Sequence, residues 1–362
     1  MTTSKPIPET MSGVVLTGHG GLDQLAWRDD LPVPTPGPSE VLIRVNAASV
    51  NNTDVNTRTG WYSKSVREDT ASVATGSAGE SAAADGAWSG QPIDFPLIQG
   101  ADCCGEIVAV GEQVSASRIG ERVLVRALQS HRAADGTLTT WTLGSECDGA
   151  FAEFTKTHAA DALPVHSDWT DLELASIPCA YSTAEAMLQK IGLGAERVLI
   201  TGASGGVGQA AVQLAKRRGA EVTAMTSADK AQALRALGAD ATLGRDDPLA
   251  REAFDALVDV VAGPRWPELI EALKRGGRYV AAGAIAGPIV ELDVRTLYLH
   301  DLTLYGSTLQ PDSVFEDLVG YIERGELRPC IAQAFDLKDI RQAQQVFLDK
   351  RYVGKIALRV AC

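Results

Sequence analysis

The stretch Arg197–Gly208 (RVLITGASGGVG) limits the fold of this chain more than any other part of its 362 residues. Val198, Leu199 and Ile200 form a short apolar run, β-branched at two of its positions, as a strand buried on both faces requires. Gly202, Gly205, Gly206 and Gly208 break that strand. Val207, Ala210, Ala211, Leu214 and Ala215 then recur with helical spacing, so a helix starts at the glycines. Without a Cβ, Gly205 lets a phosphate approach the backbone, and Gly208 lets helix and strand pack closely. The free N–H groups and positive dipole end of the helix would face that anion. Ala203 stands where the usual G-x-G-x-x-G has its first glycine, so the motif alone also describes a glycine-rich turn with no ligand. Its strand-turn-helix setting favours a dinucleotide site made by Ala203, Ser204, Gly205, Gly206, Val207 and Gly208.

The texture around this motif is a regular alternation. Strands are expected at 198–201, 221–225, 257–261, 278–282 and 302–306, with a weak one at 241–243. Helices at 207–218, 229–237, 266–274 and 293–300 separate most of them, which predicts a parallel, doubly wound Rossmann sheet over 161–310. Ser182–Glu185 reads as a capping box that opens a helix running to Lys190. The part before it is different. Val14–Leu16, Leu25–Trp27, Val41–Val45, Gly105–Val110, Arg122–Arg126 and Phe151–Phe154 are short strands punctuated by turn residues, the pattern of a small, partly open β-barrel over 1–160. After Gly306 come helices at 312–323 and 339–349 and a last strand, Gly354–Val360. That strand lacks a βαβ partner, so 311–362 is expected to return to the first domain.

Ser63–Gln91 interrupts the barrel pattern with a run rich in Ala, Ser, Gly and charge that shows little periodicity. It reads as a long surface insertion, loosely packed. Trp61 and Trp88 bracket it, which leaves a second reading open, a lid folded over a pocket. The net charge of −13 opposes binding to nucleic acid or anionic lipid, so a phosphate-bearing ligand needs local donors. No apolar run approaches membrane-spanning length, and the polar start Met1–Met11 lacks a signal core, so a cytoplasmic protein is expected. The six cysteines show no C-x-x-C pair and read as reduced thiols. Cys103 and Cys104, neighbours in a strand, should point to opposite faces.

Several stretches together, Val50–Asp54, Gly100–Asp102 with Gly105–Gly111, Ala203–Gly208 and Gly354–Ile356, resemble a medium-chain dehydrogenase/reductase, most similar to the zinc-independent quinone oxidoreductase branch. The resemblance runs from about Gly13 to Val360. It implies a GroES-like barrel domain followed by a Rossmann domain, with the C-terminus completing the first. It also implies NAD(P)H-dependent hydride transfer to a carbonyl or activated C=C of a small molecule, usually in a homodimer joined through the Rossmann sheets. Zinc-dependent relatives place a Cys where Asn51 stands and a His where Ala101 precedes Asp102. Only Cys179 falls on a matching ligand position. A catalytic zinc needs three protein donors, so no metal is expected; Cys179 then reads as a small buried residue near the nicotinamide.

The coenzyme choice turns on the end of the second Rossmann strand, where NAD enzymes carry an acid for the ribose 2′-OH. Thr226 and Ser227 follow that strand here, then Lys230, and Arg245 follows the third. Small hydroxyls and cations suit a 2′-phosphate, which adds about −1.5 to −2 charges, so NADP(H) is expected. Asp229 in the same turn weakens that preference, and solvated surface charge is the plain alternative for Lys230 and Arg245. The resemblance adds contacts from Ala262, Gly283, Ala284, Ser307, Thr308 and Lys355. Donors for a developing oxyanion cluster at Asn51, Thr53, Asp54, Arg58, Trp61 and Tyr62. Asn51 reads as an amide donor and Tyr62 as a proton donor or orienting group, or equally as an aromatic wall. Asp54 is expected to cap the following turn. The expected activity is NADPH-dependent, metal-independent reduction of quinones or α,β-unsaturated carbonyl compounds. The competing readings are an enoyl-thioester reductase, a zinc-type alcohol dehydrogenase, and a protein that binds NADPH without turnover.

Overall fold

The computed structural model describes residues 6–75, 84–132 and 135–360; the centre of the 63–91 insertion, the first residues and Cys362 lie outside them. Six parallel strands lie side by side in the order Ala241–Leu243, Glu221–Met225, Arg197–Ile200, Phe254–Asp259, Leu273–Ala281, Thr303–Gly306. The first of them in the chain lies inside the sheet, so the order reverses between Arg197–Ile200 and Phe254–Asp259. The carboxyl ends of that pair open a crevice, where ligands of such sheets bind. Val198, Leu199 and Ile200 are fully buried, each contributing about 1.5–3 kcal/mol by leaving water.

The helix after the glycines runs Gly206–Arg217, close to its expected span. The helix before the sheet differs. It starts at Pro178, with the proline in its first turn, so Ser182 lies inside it and caps nothing. Glu185 is instead fully buried in an ion pair with Arg218. The capping-box pattern was a local coincidence, overridden by an upstream helix start.

The first domain is built on the strand Glu40–Val50, which pairs with Cys104–Val110, Phe154–His158 and Lys355–Arg359 in a seven-stranded sheet. The expected strand Phe151–Phe154 is displaced: Ala152 makes only an isolated bridge to Gly13, and pairing begins at Phe154. A hairpin, Leu128–Arg132 with Leu138–Thr142, has no counterpart in the sequence pattern. Ala162–Pro164 still belongs to the barrel sheet, through Val123–Val125. Late in the chain, the helix Asp312–Glu323 packs on the Rossmann core, and Ile331–Asp336 and Lys355–Arg359 join the barrel sheet. Cys103 and Cys104 point into two different cores, although only Cys104 belongs to the strand, Cys104–Val110, and Cys103 lies just before it. The insertion is not irregular throughout, because Thr70–Thr75 forms a short helix against Asn52–Thr59.

Candidate active site

A cleft of about 760 Å³ runs along the crevice, lined from both domains. At its floor Gly202 takes a left-handed conformation, with φ at 55°. A Cβ on Gly208 would lie 2.2 Å from the Gly202 carbonyl oxygen, so only glycine lets the helix approach this closely. Gly205 caps the helix without any side chain, and a Cβ built there would meet no atom nearer than 3.4 Å. The N-terminus therefore presents bare backbone to the cleft. Ser204, Gly205, Gly206, Val207 and Gly208 line it, whereas Ala203 is fully buried beneath, its N–H donating to the Met225 carbonyl.

Cations gather along the same half. Arg245, Lys350 and Lys355 line the cleft. Lys230 does not: it is buried, and its ammonium donates to the Lys350 carbonyl. Lys350 sits in the left-handed region at φ 52°, its ammonium 3.5 Å from the centre of the Phe347 ring. Burial, together with the charges of Lys355 and Lys230, lowers its pKa to about 7. Among the described residues neither Lys350 nor Arg245 makes an ion pair with a carboxylate, although the Asp229 carboxylate feels the Arg245 charge. Thr226 is buried with an unpartnered Oγ1, and Ser227 bonds Asp229; neither lines the cleft. Ala262 lies off it too, its N–H held by the buried carboxylate of Asp259, while Gly283, Ala284, Ser307 and Thr308 line it.

Between the halves lies a dense polar knot around Asp102. Its carboxylate accepts from Lys355 Nζ at 2.9 Å, Asn51 Nδ2 at 2.7 Å and the Cys179 N–H at 2.7 Å, and from the Ser49 hydroxyl. Lys355 also donates to the Val50 carbonyl at 3.1 Å and to Asn51 Oδ1. The sequence offers the Asn51 amide as a donor to the substrate oxygen or to the cofactor. Instead its amide is spent on Asp102 and Lys355, with only a 3.4 Å contact to the Ser49 carbonyl besides, because a buried ion pair competes better for it than an open cleft. The knot is built on Asn51, Asp102 and Cys179, the segments that the resemblance sets against the zinc ligands of metal-dependent relatives. No cluster of three His, Cys, Asp or Glu able to hold an ion occurs among the described residues, and burial and the Asp102 charge keep the Cys179 thiol protonated. The donor set does not fit zinc.

The other half is neutral. Asn52, Thr53, Asn56, Trp61, Tyr62, Trp88, Leu128, Thr140 and Thr142 form it. The Tyr62 hydroxyl donates to Thr53 Oγ1 at 3.0 Å, and burial raises its pKa to about 12, so the phenol stays protonated. Thr53 Oγ1 donates to no acceptor among the described residues and can spend its own hydrogen in the cleft. Asp54 does cap, but backwards: from the third position of the helix Asn52–Thr59 it accepts the Asn51 N–H at 2.7 Å, and the Ala101 N–H at 3.3 Å, rather than starting the following turn; burial raises its pKa to about 7. Arg58 turns away, buried against Gln344 and the Gly20 carbonyl, and cannot serve as a donor. The sequence reading missed Lys350, which looks like a surface lysine ending a helix, and Leu128, Thr140 and Thr142, which belong to the unrecognised hairpin.

Comparison with known proteins agrees with this geometry. Residues 37–167 match the alcohol dehydrogenase GroES-like domain, and residues 206–324 match the zinc-binding dehydrogenase family. A solved structure of a candidate alcohol dehydrogenase from Sinorhizobium meliloti 1021 is 40% identical, covers 98% of this chain and 97% of its own, and superposes with a TM-score of 0.86. An acryloyl-coenzyme A reductase of Sulfurisphaera tokodaii is 27% identical over 91% of this chain and 95% of its own length. A chloroplastic quinone oxidoreductase of Triphysaria versicolor is 27% identical over 96% and 98%. The chain is an oxidoreductase belonging to the medium-chain dehydrogenase/reductase superfamily, with a GroES-like domain and a Rossmann domain.

Proposed function

We propose that this enzyme is an NADPH-dependent, metal-independent reductase of quinones or α,β-unsaturated carbonyl compounds. The observation that carries the reading is the filled knot at Asp102: its carboxylate is taken up by Lys355, Asn51, Ser49 and the Cys179 backbone, which leaves the Cys179 thiol, among the described residues, as the one ligand-type group in the cleft wall beside it. Polarising the substrate oxygen then falls to neutral hydroxyls, and the Thr53–Tyr62 pair lies in the cleft to do it.

The residues fit the coenzyme. The bare helix N-terminus at Gly205–Gly208 suits a pyrophosphate. Arg245 and Lys350, which line the cleft and pair with no carboxylate in an ion pair, suit a 2′-phosphate; Thr226, after the second strand, keeps an unpartnered Oγ1 but lies off the cleft. The reduced nicotinamide, when bound, supplies the hydride. The Thr53 hydroxyl, itself accepting from Tyr62, donates to the substrate oxygen as negative charge develops there. The hydride brings two electrons, and the one proton that completes the reduction comes from solvent, while the Thr53 hydroxyl holds the developing oxyanion by a hydrogen bond. Lys355 clamps Asn51 and Asp102, which holds the start of the helix Asn52–Thr59, and thus Thr53, in place. The test is oxidation of NADPH by a panel of small enones and quinones, followed by metal analysis of the purified enzyme. Saturable NADPH binding with no turnover of any compound, or a stoichiometric zinc, would refute it.

The same reading includes a homodimer joined through the Rossmann sheets. The strand Thr303–Gly306 is a free edge, and exposed Ile289, Leu292, Val294, Tyr298 and Leu299 lie in the segment leading to it. A monomeric mass by light scattering would remove it.

A further inference from the structure

The insertion at 63–91 is the largest feature that neither the coenzyme nor the Thr53–Tyr62 pair explains, and its described parts are tied to both domains. On the barrel side the Trp88 N–H donates to Ser145 Oγ at 3.3 Å and the Ser89 N–H to Glu146 Oε1 at 2.8 Å. On the Rossmann side the Thr70 N–H donates to the Ile285 carbonyl at 3.1 Å, and Ile285 itself lines the cleft. The segment also closes on itself, through the Trp61 indole N–H to the Glu68 carbonyl at 3.0 Å and the Lys64 N–H to Asp85 at 3.0 Å. Both bracketing tryptophans line the cleft.

Charge is divided along that cleft. Arg245, Lys350 and Lys355 all belong to the coenzyme half and the knot, while the walls that Trp61, Tyr62, Trp88, Leu128, Thr140 and Thr142 build carry none. The insertion's described charges are Lys64 and Arg67 against Glu68, Asp69 and Asp85, and it docks on a further acid, Glu146. We infer that the described parts of the insertion, 63–75 and 84–91, form a selectivity strap, narrowing the substrate end to small, uncharged, planar conjugated carbonyls and turning away coenzyme A thioesters; the inference rests on the reductase reading above. Indole and phenol rings offer flat apolar walls to a conjugated plane. A coenzyme A tail carries a pyrophosphate and a further phosphate, and those need cations; the described walls of this end carry none, and the strap's Lys64 and Arg67 are outnumbered by Glu68, Asp69 and Asp85.

The experiment compares kcat/KM for NADPH oxidation with cyclohex-2-enone, 1,4-benzoquinone, crotonyl-coenzyme A and the N-acetylcysteamine thioester of crotonate. The two thioesters share the reacting group and differ in the charged tail. The short thioester should exceed crotonyl-coenzyme A by about tenfold or more at low salt, with the gap narrowing as salt rises. Thr70→Pro removes the N–H that reaches Ile285 while suiting the first position of its helix, and it should shrink the gap severalfold. Trp88→Ala should act in the same direction, and if it fails to fold, Thr70→Pro and the unaltered enzyme still decide. Equal or faster turnover of crotonyl-coenzyme A overturns the strap and leaves the reductase standing. No turnover of any compound removes the reductase reading and the strap with it.

Discussion

The two halves of the cleft are made in opposite ways. On the proposed reading, the coenzyme half is backbone and charge held in no ion pair: a glycine turn, a helix end without a side-chain cap, and Arg245 and Lys350, which form no ion pair with a carboxylate among the described residues. The substrate half is neutral side chains, aromatic and hydroxyl, supplied by the barrel and the insertion. A doubly charged phosphate is held by donors that remain unspent until it arrives, whereas a neutral carbonyl is held by shape and a single aimed hydroxyl. The halves meet at the Asp102 knot, where polar groups are fully spent on one another. Binding and rigidity thus occupy different residues, and each can be broken separately.

The knot should show the largest effect. Lys355 is 2% exposed and Asp102 fully buried, so Lys355→Met leaves a carboxylate buried without its counter-ion. Removing one partner of such a pair costs about 3–5 kcal/mol, and a thermal melt should show it as a large fall in Tm with both halves weakened. A loss of activity at unchanged Tm would instead make Lys355 a group that touches ligand.

The substrate half comes next. Thr53→Val should lower kcat about 10²-fold with little change in NADPH affinity. Tyr62→Phe should cost less, since Thr53 keeps its own hydrogen and loses only the donor behind it. Equal losses of kcat and coenzyme affinity in Thr53→Val would erase the division between halves.

In the coenzyme half, Arg245→Ala or Lys350→Met should weaken NADPH about tenfold each and NADH about twofold or less, the worth of one charge-assisted hydrogen bond to phosphate. Lys230→Glu should also weaken NADPH more than NADH, but through Lys350, whose carbonyl Lys230 holds. If Lys230→Glu exceeds Lys350→Met, then Lys230 swings to the phosphate itself.

What could be read from the sequence divides along the same line. The glycine turn and the strand-helix alternation are local patterns, in which neighbours in the chain are neighbours in space, so they survive without coordinates. The knot is not local. Lys355 lies 304 positions from Asn51 and 253 from Asp102, and Asn51 looked like a free donor because its competitor was out of sight. Ser182–Glu185 shows the converse failure: a correct local motif overruled by Pro178 one turn earlier. The substrate half depended on a hairpin whose strands, Leu128–Arg132 and Leu138–Thr142, alternate too weakly to announce themselves.

The smallest predicted effect is the sharpest test of the uncompensated charge. Without ligand, Lys350 faces the cations Lys355 and Lys230 and the Phe347 ring, with Arg245 and the Asp229 carboxylate beyond, acting on Lys230; burial first and the charges of Lys355 and Lys230 second lower its pKa to about 7. A phosphate beside it favours the ammonium and raises that pKa. Below pH 7 the lysine is already charged, and binding takes up no proton there. Between about 7 and the higher, liganded pKa, binding draws one proton onto Lys350, so NADPH affinity should fall as pH rises, by at most about tenfold per unit. The sign for stability follows from the same shift: the free enzyme, holding a lysine whose pKa is lowered on folding, loses stability as pH falls from the ordinary lysine range toward 7. Calorimetry in buffers of different ionisation enthalpy should show proton uptake at pH 8 that Lys350→Met abolishes. Uptake that persists in the variant would move the titration to another group and leave Lys350 a mere packing residue over Phe347.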